Sequence, residues 1–442
     1  MPTLPAQLIE DTSAYIAASP TAFHATANAV RLLDAHGFQG LEETACWHQP
    51  VPGKYYVVRN DSALVCWRQD ADCSPADGFR MACAHTDSPG LKLKPAPLLA
   101  GQGTLRLGVE VYGSPLLASW FDRELSLAGR VSWQDPAGGL HDELINFQRP
   151  LAIIPSLAIH LDREANGART IDRQQHLNPI LAGQGEDDKV DFLTLLAHRL
   201  TEEHPGRTRE KILDFDLFLY DIQPPHRLGL SDELLCGARL DNLLSCYLAL
   251  RALLEAPGQR SCLLALYDHE EVGSQSQAGA QGTLLESVLR RICPTKEDFY
   301  RCLAASNLLS IDNAHALHPN YADRAEPQHA PQLNRGPVLK RNAGQRYATS
   351  SRSAALFRAA CARADIPLQD FVMQNNLACG STIGPLISSG LGVVAVDVGV
   401  PSLAMHSARE TAGCRDMELL YQAIRAFFTP EPAGRGASCL AP

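Results

Sequence analysis

The feature that most constrains this chain is a short apolar run, Cys262 to Tyr267, that empties abruptly into Asp268, His269, Glu270 and Glu271. Such a run reads as a buried strand covered by helices on both faces. In open α/β sheets ligands bind beyond the carboxyl ends of the strands, where this acidic cluster would fall. Adjacent Glu270 and Glu271 repel each other, so something positive must compensate them. A metal does this: one Glu ligates it while its neighbour takes a proton from the water that the metal polarises. Two solvated glutamates at a loop entry are the plainer alternative, and the rest of the chain has to decide.

Four further stretches carry the same signature. Phe79 to Ala84 is a short strand running into His85-Thr86-Asp87, where an imidazole and a carboxylate two residues apart suit a ligand and its orienting partner. Asp241 opens the apolar helix Arg239–Glu255, which it could also cap. Ala304–Ile311 reads as a strand followed by Asp312, His315 and His318. Gly390–Gly399 is apolar and leads to His406 and Glu410. Random polar residues would not favour five strand ends and helix starts. The set His, Asp, Glu, Asp, His is what two divalent metals sharing one carboxylate need.

At 442 residues, two domains are the default. Helix is expected over 5–36 with a break at Ser19-Pro20, then a hairpin of Tyr55–Val58 and Ala63–Trp67. From Lys94 to His226 the pattern changes to alternating strands, Gly101–Tyr112, Glu124–Trp133 and Asp214–Tyr220, with a polar loop over 164–187 and a helix over Val190–Arg199. Because acidic clusters lie on both sides of this block, it reads as an insertion hinged near Pro95–Pro97 and Pro224–Pro225. Helices over Gly282–Ile292, Ser351–Arg363 and Met417–Phe428 complete an α/β sandwich, and the tail after Pro430 reads as frayed.

Lys plus Arg at 39 against Asp plus Glu at 49 leaves a net charge of −10, without the basic stripe that nucleic acid would require. The 13 cysteines are scattered, with no C-x-x-C pair, and fit a reducing compartment. The N-terminus lacks the basic and apolar regions of a signal peptide, and no run approaches a membrane span, so a cytoplasmic protein is expected.

The blocks Ala84-His-Thr-Asp-Ser-Pro-Gly90, Ala238-Arg-Leu-Asp-Asn-Leu243, Asp268-His-Glu-Glu-Val-Gly-Ser274, Asp312-Asn-Ala-His-Ala-Leu-His318, Gly336-Pro-Val-Leu-Lys340, Cys379-Gly-Ser-Thr-Ile-Gly-Pro385 and Met405-His-Ser-Ala-Arg-Glu410 follow one another in an informative order. In them the sequence resembles the M18 metallopeptidases, the aspartyl aminopeptidases, from Ala18 to Glu410. The resemblance implies a three-layer α/β/α zinc-peptidase domain, residues 1–94 and 227–442, interrupted by a mainly β dimerisation domain, residues 95–226. It implies that His85, Asp241 and Asp312 hold one Zn2+, and that Asp241, as the bridge, joins Glu271 and His406 on a second. Mn2+ or Co2+ could substitute. Glu270 would be the general base and Asp87 the partner of His85. His318 and Lys340 would contact substrate, as would His160 from a neighbouring subunit. Lys340 would select an acidic N-terminal residue, since a fixed ammonium in a partly buried pocket pairs with one carboxylate and rejects apolar side chains. Dimers would assemble into a closed dodecamer.

Two segments depart from the family pattern, Ser114–Trp120 and Gln374–Leu377. Other readings remain open: a di-metal aminopeptidase, carboxypeptidase or deacylase of different specificity, a shell-forming scaffold without activity, a surface role for Lys340, or a thiol nucleophile at Cys379.

Overall fold

The computed structural model describes residues 4–47, 52–183, 191–205, 211–258 and 260–429. Its centre is four parallel strands in the spatial order Cys262–Tyr267, Arg80–His85, Asn307–Ile311 and Val394–Gly399. Ala63–Gln69 adds antiparallel on one side, followed by Gly53–Arg59 and Gln39–Gly40. Val338–Arg341 and Gln369–Val372 complete the nine-stranded sheet on the other.

Side chains alternate along each strand, and the sheet is apolar on both faces for that reason. Leu264, Leu266, Ala82, Ala84, Leu309 and Val396 face a core shared with the helices Leu4–Ala18, Ala22–Ala35, Leu240–Leu254, Ser351–Arg363 and Cys414–Phe428. Leu263, Ala265, Met81, Cys83, Leu308 and Ala395 face a second core, closed by Leu284–Ile292, Lys296–Ala305 and Ile383–Leu391. The result is the three-layer α/β/α sandwich that the sequence implies.

Several expected boundaries move. The strand expected over Ala304–Ile311 starts at Asn307, because Thr295 caps a helix, Lys296–Ala305, that the reading missed. The apolar stretch Gly390–Gly399 divides between the end of a helix and the strand Val394–Gly399, the helix stopping at Gly392 in the left-handed region. The last helix begins at Cys414 rather than Met417. Val190 and the tail after Pro430 lie outside the described residues; the helix there runs Phe192–Glu203.

A six-stranded antiparallel sheet, in the order 140–146, 125–134, 211–221, 90–101, 104–112 and 180–183, carries its own core around Leu91, Leu107, Leu127, Val131, Ile145 and Leu217. Gly101–Tyr112, read as one strand, is the end of one and all of the next. Gly101, Gln102 and Gly103 all take positive φ in the turn between them. Pro95 and Pro97 fall inside Gly90–Gly101, where its register against the neighbouring strand shifts, so the expected first hinge is an irregularity within a strand. A third sheet of five short strands, 226–228, 234–237, 410–413, 401–403 and 314–315, lies beyond the ends of the parallel strands. Among the described residues, no helix is long and apolar enough to cross a membrane.

Candidate metal centre

The acidic and imidazole clusters meet at the carboxyl end of the parallel sheet. Tyr267 and His85 are register partners, so Glu270, Glu271, His85 and Asp87 leave neighbouring strands side by side. Asp312 follows the strand Asn307–Ile311, and the small third sheet turns the chain back so that His406 arrives from the far side. Arg239, His269, Ser274 and His406 all hold left-handed backbone conformations without being glycine. Such residues persist where surrounding contacts over-determine them, and they cluster at functional sites.

Asp241 occupies the middle. Its Oδ1 lies 3.6 Å from His85 Nε2, and its Oδ2 lies 3.7 Å from His406 Nε2. His85 Nε2 is also 3.6 Å from Asp312 Oδ1, and His406 Nε2 is 3.4 Å from Glu271 Oε1. Each imidazole is oriented through its other nitrogen: His85 Nδ1 is 3.0 Å from the Asp87 carbonyl and His406 Nδ1 3.0 Å from the Ser114 carbonyl. Anchoring Nδ1 on a carbonyl turns both Nε2 atoms toward the carboxylates.

Asp241 is not the cap expected of it. Arg239 holds the N-cap position, no side chain caps the helix, and Asp241 itself is non-helical. The buried oxygens Asp241 Oδ1 and Glu271 Oε1 have no hydrogen-bond partner. Burial first, then the charge of Asp241, pushes the Glu271 carboxyl well above its ordinary range. Burial, with Asp312, Asp87 and Asp241 adding to it and His85 opposing, pushes Glu270 up to about 8. Burial opposes charge on the His85 ring, but Asp241, Asp312 and Asp87 outweigh it and hold its pKa well above the usual value. Orphaned buried carboxylate oxygens amid surplus negative charge are what a cation would satisfy. Oxygen and imidazole donors suit zinc, and His85, Asp241 and Glu271 offer ligand atoms within 4.8 Å of one another.

Asp87 does more than was expected of a partner to His85. Its carboxylate lies 3.4 Å from His85 Nδ1 and also accepts the N–H groups of Glu270 and Glu271, both at 3.1 Å. Lys340 is no surface lysine. It is 1% exposed, with Nζ donating to Asp312 Oδ2 and the Asn313 carbonyl, both at 3.1 Å, and it lines the cleft of about 450 Å³ over the carboxylates. Burial opposes ionisation of Asp312, yet Lys340 holds its carboxyl below the ordinary range.

His318 lines a neighbouring cavity instead, its ring tilted beside that of Tyr321 with centroids 4.8 Å apart, and it is His315 that borders both spaces. His160 lies on an exposed turn outside the cleft lining, between the exposed Ile159 and Leu161. Cys379 packs beside Tyr347 and Phe371. Two further side chains hold this arrangement: the buried Glu410, whose place beside His406 the sequence already marks, and the half-buried Tyr112, which no motif singles out. Glu410 accepts the N–H of His406 at 2.7 Å and that of Asp241 at 2.9 Å. Tyr112 donates to Asp87 at 2.7 Å. The four-residue spacing of His406 and Glu410 was the one visible signal for the first, and the second had none.

A family model described as aminopeptidase I zinc metalloprotease (M18) matches residues 15–428. A probable M18 family aminopeptidase 2 of Stutzerimonas stutzeri (strain A1501) is 50% identical over 415 residues, covering 94% of this chain and 96% of the relative. Among solved structures, a chain in the cryo-EM structure of the Ape4 and Nbr1 complex has a TM-score of 0.93 at 36% identity, over 96% of this chain and 86% of that one. The S. cerevisiae mApe1 dodecamer gives a TM-score of 0.82 at 27% identity over 95% of each chain.

Proposed function

The chain belongs to the M18 family of zinc aminopeptidases, and from that premise we propose that it hydrolyses the first peptide bond of peptides that begin with Asp or Glu. The observation that carries this reading is the position of Asp241, with one carboxylate oxygen toward His85, the other toward His406, and a buried oxygen left without a partner.

Two divalent cations, one among His85, Asp312 and Asp241 and one among Asp241, Glu271 and His406, would supply Lewis-acid polarisation of a water and of the scissile carbonyl. Glu270 is the general base. It takes the proton from that water and returns it to the departing amine. Its partly buried position in the cleft, beside Asp312, Asp87 and Asp241, supports this role. Asp87 holds both the His85 ring and the backbone of the base. The Lys340 ammonium has a third proton beyond those given to Asp312 and Asn313, and it receives the acidic side chain of the substrate.

The block 95–226 is the dimerisation domain of this reading, and the exposed turn carrying His160 reaches a neighbouring subunit's cleft. The solved dodecamer of mApe1 supports the same assembly here. The enzyme works in the cytoplasm. Cleavage of Asp-, Glu-, Leu- and Lys-aminoacyl substrates and of N-blocked peptides, before chelation, after it and with zinc restored, tests the proposal. The expected pattern is Asp and Glu substrates cleaved, blocked peptides untouched, and activity lost and regained with zinc. Cleavage indifferent to the chelator ends the metal reading; equal rates on all four aminoacyl substrates end the acidic preference.

A further inference from the structure

We propose that Tyr112, the last residue of a strand in the six-stranded sheet, positions the catalytic base by holding Asp87. Asp87 is 3% exposed, and its two oxygens are fully engaged. Oδ2 accepts the Tyr112 hydroxyl at 2.7 Å and the N–H of Glu271 at 3.1 Å. Oδ1 accepts the N–H of Glu270 at 3.1 Å and lies 3.4 Å from His85 Nδ1. The hydroxyl contact is the shortest of the four and is charge-assisted, so it sets where the carboxylate rests.

What hangs from that carboxylate is the pair of amides that starts a tight turn, which closes on itself through Gly273 N–H to the Glu270 carbonyl at 2.9 Å and Ser274 N–H to the His269 carbonyl at 2.7 Å. His269, Gly273 and Ser274 all have positive φ around the single turn Glu270–Val272. A shift of Asp87 therefore becomes a shift of Glu270, and displacement of a base by a fraction of an ångström is expensive in rate. The Tyr112 ring is itself fixed, edge-on to Phe218 with centroids 5.5 Å apart.

The residues after Tyr112 continue the contact. Gly113 has φ +68°, and a Cβ there would come within 3.2 Å of Glu271 Cβ. The Ser114 carbonyl faces His406 Nδ1 at 3.0 Å, and Leu116 N–H donates to the His406 carbonyl at 2.8 Å. Residues 112–116 thus form a strap from the second sheet across the metal centre. The site is incomplete without it.

The inference rests on Glu270 as base only where turnover is the readout, so the experiment has two arms. In the zinc enzyme, Tyr112→Phe keeps the ring and should lower kcat by about 10- to 100-fold, with KM and bound zinc unchanged. In the zinc-free protein, the same variant should speed amide hydrogen exchange at Glu270 and Glu271 while the amides of Cys262–Tyr267 stay protected. Unchanged exchange at those two amides overturns the proposal, as does an increase spread evenly into the strand. Faster local exchange with normal kcat would leave the strap standing and remove Glu270 as the base.

Discussion

The charges around Asp216 and those around Asp241 are of the same kinds, yet one set is satisfied by folding and the other is not. Asp216, in the six-stranded sheet, receives Lys92 on one oxygen at 2.6 Å and Arg130 on the other at 3.0 Å, and Arg130 also reaches Asp61 at 3.2 Å. Around Asp241 stand Glu270, Glu271, Asp312 and Asp87 with one ammonium, Lys340, and two buried oxygens face no donor. Acidic residues alone do not mark a cation site. Unpartnered oxygens set among further carboxylates and two imidazoles are what a cation would satisfy.

The sharpest way to test that contrast is Glu270→Gln, which should cost kcat about 10²- to 10⁴-fold while leaving zinc binding and thermal stability intact. A loss of stability with the activity would make this carboxylate structural, like Asp216. Next in size is Lys340→Met. Removing one member of a buried pair should destabilise the zinc-free protein by about 3–5 kcal/mol, read by denaturant melts, and erase any preference for acidic substrates.

Glu271→Gln should act in the opposite sense on stability. Its carboxyl, raised well above the ordinary range, is protonated in the fold at pH values where the unfolded chain has lost the proton. Ionisation therefore costs folding free energy, and the neutral amide should stabilise the zinc-free protein by about 1–2 kcal/mol while weakening zinc affinity. Asp216→Asn should do the reverse, losing about 1 kcal/mol because Asp216 and Lys92 are each about a third exposed, with kcat unaffected. If both amide variants shifted stability in one direction, the two clusters would not differ as described.

The last effect, confined to acid pH, comes from His24. Burial, then Arg31 and Arg239, lowers its pKa to about 4, so the folded ring is neutral where the unfolded one is charged. Stability should be present above about pH 6.5 and be lost progressively as pH falls toward 4, with His24→Gln flattening that slope in melts.

The strand ends were legible because an apolar run meeting a polar cluster is a one-dimensional pattern; Cys262–Glu271 and Arg80–Asp87 needed no partner to be recognised. The third sheet was not, since strands of two to four residues such as 314–315 and 401–403 are fixed by pairing rather than by propensity. Asp241 looked like a helix cap because its neighbours favour a helix, whereas the long-range donation to Glu410 and the surrounding ligands determine its backbone. Tyr112 reads as an ordinary strand residue, and only the fold brings it to Asp87. His315 and His318 lie three residues apart, and sequence spacing cannot say which imidazole a turn will direct toward the cleft.

Glu410 never touches the cleft's centre, yet one of its oxygens grips the amide of His406 and the other the amide of Asp241. It therefore works as a ruler between two ligands that arrive on unrelated stretches of chain. A shorter Asp in its place could reach one amide or the other, not both, and the distance between His406 and Asp241 would lose its gauge even though both side chains remained.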